Sequence, residues 1–130
     1  MITPFCEEHE LFRQQCRRFV EKELAPHAGE WEEKKDFPNE VFRRVGEMGY
    51  HGILIPEKYE GSGGDYPMAS VWSEEMTRIG SGGVSAGLGM HGLIVLPAIA
   101  RLGSEDQKKR FLIPGVRGEK IGALGLTEPV

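Results

Sequence analysis

Cysteine is almost absent from this chain of 130 residues, which has only Cys6 and Cys16. A disulfide scaffold is excluded, and no cysteine cluster is available to bind a metal. Ten residues apart on one helix, the two thiols point to different faces and read as packed side chains. Excess positive charge is missing too. Sixteen Lys and Arg stand against 20 Asp and Glu, a formal net charge of −4, whereas a nucleic-acid binder carries a basic stripe. No zinc spacing joins His9, His27, His51 and His91, no GxSxG turn presents a serine, and no cysteine is placed with a histidine. The N-terminus runs straight into the charged residues of 7–18, which is not the pattern of a secretory leader. The one uncharged run, 84–100, falls short of a ~20-residue span and carries Gly87, Gly89, Gly92 and Pro97. It reads as a buried core helix, with no membrane span.

Glycine, by contrast, is plentiful: 18 residues, about twice the usual share. Such a surplus goes into turns, caps and places of close backbone approach. Between them the apolar residues recur with helical spacing. Leu11, Phe12, Cys16, Phe19, Val20 and Leu24 line one side of a helix over 7–24, ended by Ala25 and Pro26. Pro38 stands at the first position of a second, with Val41, Phe42, Val45 and Met48 on its apolar side and Gly49 as the stop. Residues 57–65 read as a connecting loop, because their glycines match no phosphate-binding pattern.

Pro67 begins a third helix with Met68, Val71, Trp72, Met76 and Ile79 inside, broken by 80–83. A fourth, 84–102, is apolar nearly all round, as a helix at the centre of a bundle would be, and Pro97 should kink or restart it. Ser104 and Gln107 form a capping box that opens a fifth. After Pro114 a turn leads to 121–126, which reads as a strand without a partner. The fold expected is all-α: a bundle of about five helices, with the first strand of a following β domain at the C-terminal end.

Catalytic material is sparse on this reading. His91, in the apolar helix, reads as a hydrogen-bonded core histidine. The carboxylate pairs Glu7 and Glu8, Glu32 and Glu33, Glu74 and Glu75 are sequence neighbours that cannot face one another, and read as solvated helix surface.

Several strings together carry a resemblance. Leu126, Thr127, Glu128 and Pro129 follow Gly118, Glu119, Lys120, Ile121 and Gly122, and further upstream stand Gly103, Ser104, Glu105, Asp106, Gln107 and Lys108. Gly49 to Ile53, Ile55 to Tyr59 and the opening from Glu8 and His9 to Trp31 complete the set. In this order they resemble the acyl-CoA dehydrogenase family over essentially the whole chain, the long-chain members above all. The resemblance implies the family's N-terminal helical domain over 1–118 and the start of its central β domain over 119–130.

What it implies chemically is an FAD enzyme that takes hydrogens from the α and β carbons of an acyl-CoA thioester. Electrons then pass to an electron-transferring flavoprotein. The family's glutamate base lies in a C-terminal domain, so no catalytic residue is assigned here, and the isolated chain is expected to be inactive. Flavin contact is implied at Leu124, Gly125, Leu126, Thr127, Glu128 and Pro129, with Thr127 bonding the ring edge. The family continues after Glu-Pro with glycine, where this chain has Val130. Acyl-chain contact is implied on the fourth helix at Ser85, Leu88, Gly89, Leu93 and Leu96, Gly89 leaving room for a long tail or permitting close helix packing. The family also implies a homo-oligomer, a tetramer, in the cytoplasm of a bacterium or a mitochondrial matrix. Two alternatives stay open: an acyl-CoA oxidase or related flavoprotein using oxygen, and a non-catalytic helical interaction module.

Overall fold

The structure is a computed structural model that describes residues 5–129. Five helices run through them: α1 (7–34), α2 (Glu40–Glu47), α3 (66–79), α4 (Gly82–Leu102) and α5 (105–116). Two single 3₁₀ turns, Tyr50–Gly52 and Glu57–Tyr59, lie between α2 and α3.

The first helix does not stop at Pro26. Its α-helical part, Glu7–Phe19, widens into a π turn at Val20–Leu24 and tightens into a 3₁₀ turn at Ala25–His27. A helical run, Ala28–Lys34, then ends at Lys35 in the left-handed region, φ 55°. The expected break fails because Pro26 stands at the start of a turn, where a missing N–H leaves no bond unmade. The same device recurs at Pro97 and Pro114. Each follows by two residues the end of a π turn, Met90–Val95 and Lys108–Leu112. A proline ring collides with the carbonyl four residues back, and the wider turn moves that carbonyl aside. At Pro97 the expected restart is found, as the segment Leu96–Leu102.

The caps follow the side chains. Asp65 accepts the Met68 N–H at 2.9 Å and opens α3, while Ser81 accepts the Val84 N–H at 3.3 Å and opens α4. The capping box of α5 forms as expected, with Gln107 N–H to Ser104 Oγ at 3.2 Å and Ser104 N–H to Gln107 Oε1 at 2.8 Å. Pro38 lies outside α2, whose N-cap is Asn39.

Two apolar cores result. The larger joins α1, α2, α3 and the start of α4 around Phe19, Leu24, Tyr50, Trp72 and Leu88. The smaller packs Ile55 and Tyr59 against Leu96, Leu112 and Val116 of α4 and α5. Cys16 is buried in the first core, and desolvation pushes its thiol up to about 12. Cys6 is exposed, contrary to expectation, because it caps α1, with its Sγ 3.3 Å from His9 Nδ1.

Two further expectations change. Helix α4 is not central: it is long and apolar enough by length and composition to cross a membrane, yet only 28% of its most apolar stretch is buried. Val84, Leu88, His91, Gly92 and Leu96 face inward, while Ile94 is 47% and Leu102 82% exposed. Residues 121–129 have no regular secondary structure, so the expected strand at 121–126 is not formed. A strand is stable only beside another, and none is present among the described residues. The departure from the family at Val130 lies outside them.

Candidate functional site

The C-terminal segment and the groove that anchors it form the candidate site. Past α5 the chain turns, with the N–H groups of Glu119 and Lys120 donating to the Pro114 carbonyl at 2.9 and 3.3 Å. Lys120 Nζ reaches the Arg110 carbonyl at 2.9 Å. The Gly122 N–H then donates to His91 Nδ1 at 3.0 Å. Among the described residues nothing hydrogen-bonds 123–129. Leu124, Gly125, Leu126, Thr127, Glu128 and Pro129 are all exposed, and a Cβ at Gly125 would meet no atom within 4 Å.

His91 is fully buried and uses both ring nitrogens. Because Nδ1 accepts from Gly122, the proton sits on Nε2, which donates to the Gly115 carbonyl at 2.9 Å. The His51 ring packs against it at 87°, centroids 4.5 Å apart, and His51 Nε2 donates to the Phe42 carbonyl at 2.9 Å. His51 Nδ1 is buried without a hydrogen-bond partner among the described residues. Burial lowers both imidazoles, His51 to about 3, with the neighbouring His91 a further cause there. They are therefore neutral rings at neutral pH. The reading of His91 as a satisfied core histidine holds. Its hold on the segment 31 residues later was missed, since nothing in a sequence reveals which main chain lies beside a buried ring.

A cavity of about 390 Å³ lies between α4, α5 and this segment, walled by His91, Val95, Leu96, Phe111 and Ile121 among others. Of the five residues assigned to an acyl chain, only Leu96 reaches it. Leu88 is wholly buried in the larger core, against which Leu93 also packs. Ser85 Oγ donates to the Met76 carbonyl at 2.9 Å, and a Cβ on Gly89 would lie 3.7 Å from Met76 Cε. The structure thus puts Ser85, Leu88 and Gly89 toward α3 and the larger core, and Leu96 toward the tail.

The glycine loop 60–65 is a connection, as expected. The N–H groups of Ser62, Gly63 and Gly64 donate to the carbonyls of Gly52, Ile55 and Ile53 at 2.8, 2.9 and 2.7 Å. A Cβ on Gly61 would overlap the Ile55 carbonyl oxygen. These glycines admit the chain's own backbone, and their amides are spent.

The carboxylate pairs need one correction. Glu74 is exposed, but Glu75 is 2% exposed and lies among Arg13, Arg17 and Arg78. Hydrogen bonds from Arg17 lead in holding its carboxyl below the usual range. Arg13 and Arg17, four apart on one face of α1, were the available signal.

A five-helix domain with an exposed, unpaired C-terminal segment beside an apolar groove is the class these observations define. The family model for the acyl-CoA dehydrogenase N-terminal domain matches residues 6–119. The mitochondrial long-chain specific acyl-CoA dehydrogenase of Sus scrofa is 40% identical over 126 residues, covering 96% of this chain and 29% of that protein. The short-chain specific acyl-CoA dehydrogenase of Clostridium acetobutylicum is 41% identical over 123 residues, covering 94% of this chain and 32% of that protein. Among solved structures, the acyl-CoA dehydrogenase complexed with FAD from Bacillus anthracis superposes with TM-score 0.85 at 33% identity, over 98% of this chain and 22% of that one. The chain belongs to the acyl-CoA dehydrogenase family and carries its N-terminal helical domain. It spans about a third or less of the length of these relatives.

Proposed function

We propose that the complete protein is an FAD-dependent acyl-CoA dehydrogenase, which converts an acyl-CoA thioester into the 2,3-enoyl-CoA and passes electrons to an electron-transferring flavoprotein. The observation that carries this reading is the family match over 6–119, joined by a terminal segment whose main chain has no partners among the described residues. That segment fits a flavin ring edge. Thr127 offers an exposed hydroxyl, and among the described residues the N–H and C=O groups of 124–128 are unpaired and no neighbour accounts for Gly125. When bound, FAD supplies an acceptor for the hydride.

The residues of this chain have binding and positioning roles in that reading. Thr127 and the main chain from Leu124 to Pro129 orient the ring, and 119–130 open the domain that follows 1–118. Ser85, Leu88, Gly89, Leu93 and Leu96 of α4 remain the proposed acyl-chain residues, with Gly89 the position where a side chain would narrow the space. Residues 1–130 alone supply no base for the α proton and are inactive. The protein assembles as a tetramer, in bacterial cytoplasm or a mitochondrial matrix.

Purification of the complete protein tests the proposal. Flavin absorbance that bleaches anaerobically on adding acyl-CoA is expected; a colourless protein that no acyl-CoA alters would overturn it. An oxygen pulse after bleaching separates the two enzyme types, since a dehydrogenase stays reduced until its flavoprotein acceptor is added. Gly89→Glu should shift preference toward shorter acyl chains, and unchanged activity on long substrates would remove the acyl-chain assignment.

A further inference from the structure

We propose that His91 is a positioning residue: its imidazole fixes the main chain at Gly122 and so sets where the segment 123–129 leaves the bundle. The bond from Gly122 N–H to His91 Nδ1, 3.0 Å, is the last that ties the chain to the bundle among the described residues. Everything about the ring serves that acceptor. Its Nε2–H is committed to the Gly115 carbonyl at 2.9 Å, which fixes the tautomer and leaves Nδ1 free to accept. The ring is fully buried, and the edge-on packing of His51 at 4.5 Å and Phe42 at 5.5 Å limits its rotation.

The approach itself requires glycine, since a Cβ on Gly122 would run into Val95 Cγ1 and lie 3.5 Å from His91 Nδ1. One neutral ring on α4 therefore joins α5, through Gly115, to the start of the tail. The weight of this for cofactor binding rests on reading 124–129 as flavin contact; the anchoring itself does not.

Two variants of the complete protein separate anchoring from mere filling of space. In His91→Asn the amide oxygen can occupy the position of Nδ1 and keep the acceptor. In His91→Gln the longer amide reaches toward Gly115, as Nε2 does, and leaves Gly122 unpaired. Loss of one hydrogen bond should raise amide exchange at Gly122 about tenfold in His91→Gln, with peptides from α1 to α3 unchanged and flavin binding weakened several-fold. His91→Asn should stay within about twofold of the parent on both measures. Equal exchange in parent and His91→Gln would overturn the proposal, as would an equal rise in both variants throughout α4 and α5.

The unmutated protein gives a check that no folding defect can obscure: its Gly122 amide must be protected, and an unprotected amide ends the proposal. If the parent binds no flavin, the cofactor reading fails while the exchange comparison still decides the role of His91.

Discussion

Arg17 grips the buried Glu75 carboxylate with two hydrogen bonds, Nε to Oε2 at 3.0 Å and Nη2 to Oε1 at 2.9 Å, and so couples α1 to α3. Arg78 adds a contact at 2.7 Å and Arg13 one at 3.3 Å. Glu75→Gln removes the charge from a group that three guanidiniums face. Buried pairs broken on one side lose 3–5 kcal/mol, but Arg17 and Arg78 are partly exposed, so a loss of about 2 kcal/mol is expected. A urea titration of parent and variant measures it, and coincident midpoints would contradict the assignment. Because the carboxyl is lowered in the folded state, its contribution is present above the ordinary carboxylate value and fades as pH falls through its folded value.

The paired imidazoles give a second acid dependence. His51 and His91 titrate below their ordinary value when folded, His51 near 3, and ordinarily when unfolded. Below about pH 6.5 the unfolded chain binds more protons, so stability declines as pH falls, for His51 down to about 3 and by up to about 1.4 kcal/mol per pH unit, with His91 adding in the same direction. Melting temperature followed from pH 7 to 4 in parent and His51→Gln should diverge at pH 7 and converge on acidification.

Glycine substitutions should split by position. Gly118 has φ 72°, and a Cβ there would overlap the Phe42 carbonyl, so Gly118→Ala should cost more than about 2 kcal/mol. Gly29, in the helical run Ala28–Lys34, has open space around it, and Gly29→Ala should stabilise by up to about 1 kcal/mol. Thermal melts that move in the same direction for both would refute the distinction.

Asp65 serves two partners, accepting from Met68 N–H and from His9 Nε2 at 3.0 Å. His9 Nδ1 accepts the Cys6 N–H at 3.0 Å, so the imidazole relays the start of α1 to the start of α3. Asp65→Ala removes a cap and a charge-assisted bond together, a loss of about 1–2 kcal/mol. Asp65→Asn keeps the cap and should recover about half, which chemical denaturation can resolve.

Much of this fold was legible because its signals are local. The capping box at Ser104 and Gln107, the apolar stripe from Leu11 to Leu24 and the restart at Pro97 each depend on neighbours in sequence. The run past Pro26 escaped because a π turn and a 3₁₀ turn absorb the proline, and a strict 3.6-residue period cannot represent them. The burial of Glu75 and the hold of His91 on Gly122 escaped for another reason: the partners lie on other elements, 58 and 31 residues away. The family strings alone single out 124–129, which local patterning reads only as an extended segment, while packing divides the acyl-chain set between two sides of α4.

The uneven burial of α4 also has a consequence in solution. Its inner side keeps Leu88 and Leu96 from water, while Ile94 and Leu102 stay wet. Exposed apolar area of this kind is adhesive, and because the hydrophobic attraction weakens on cooling, low temperature is the condition that keeps copies of residues 1–130 apart.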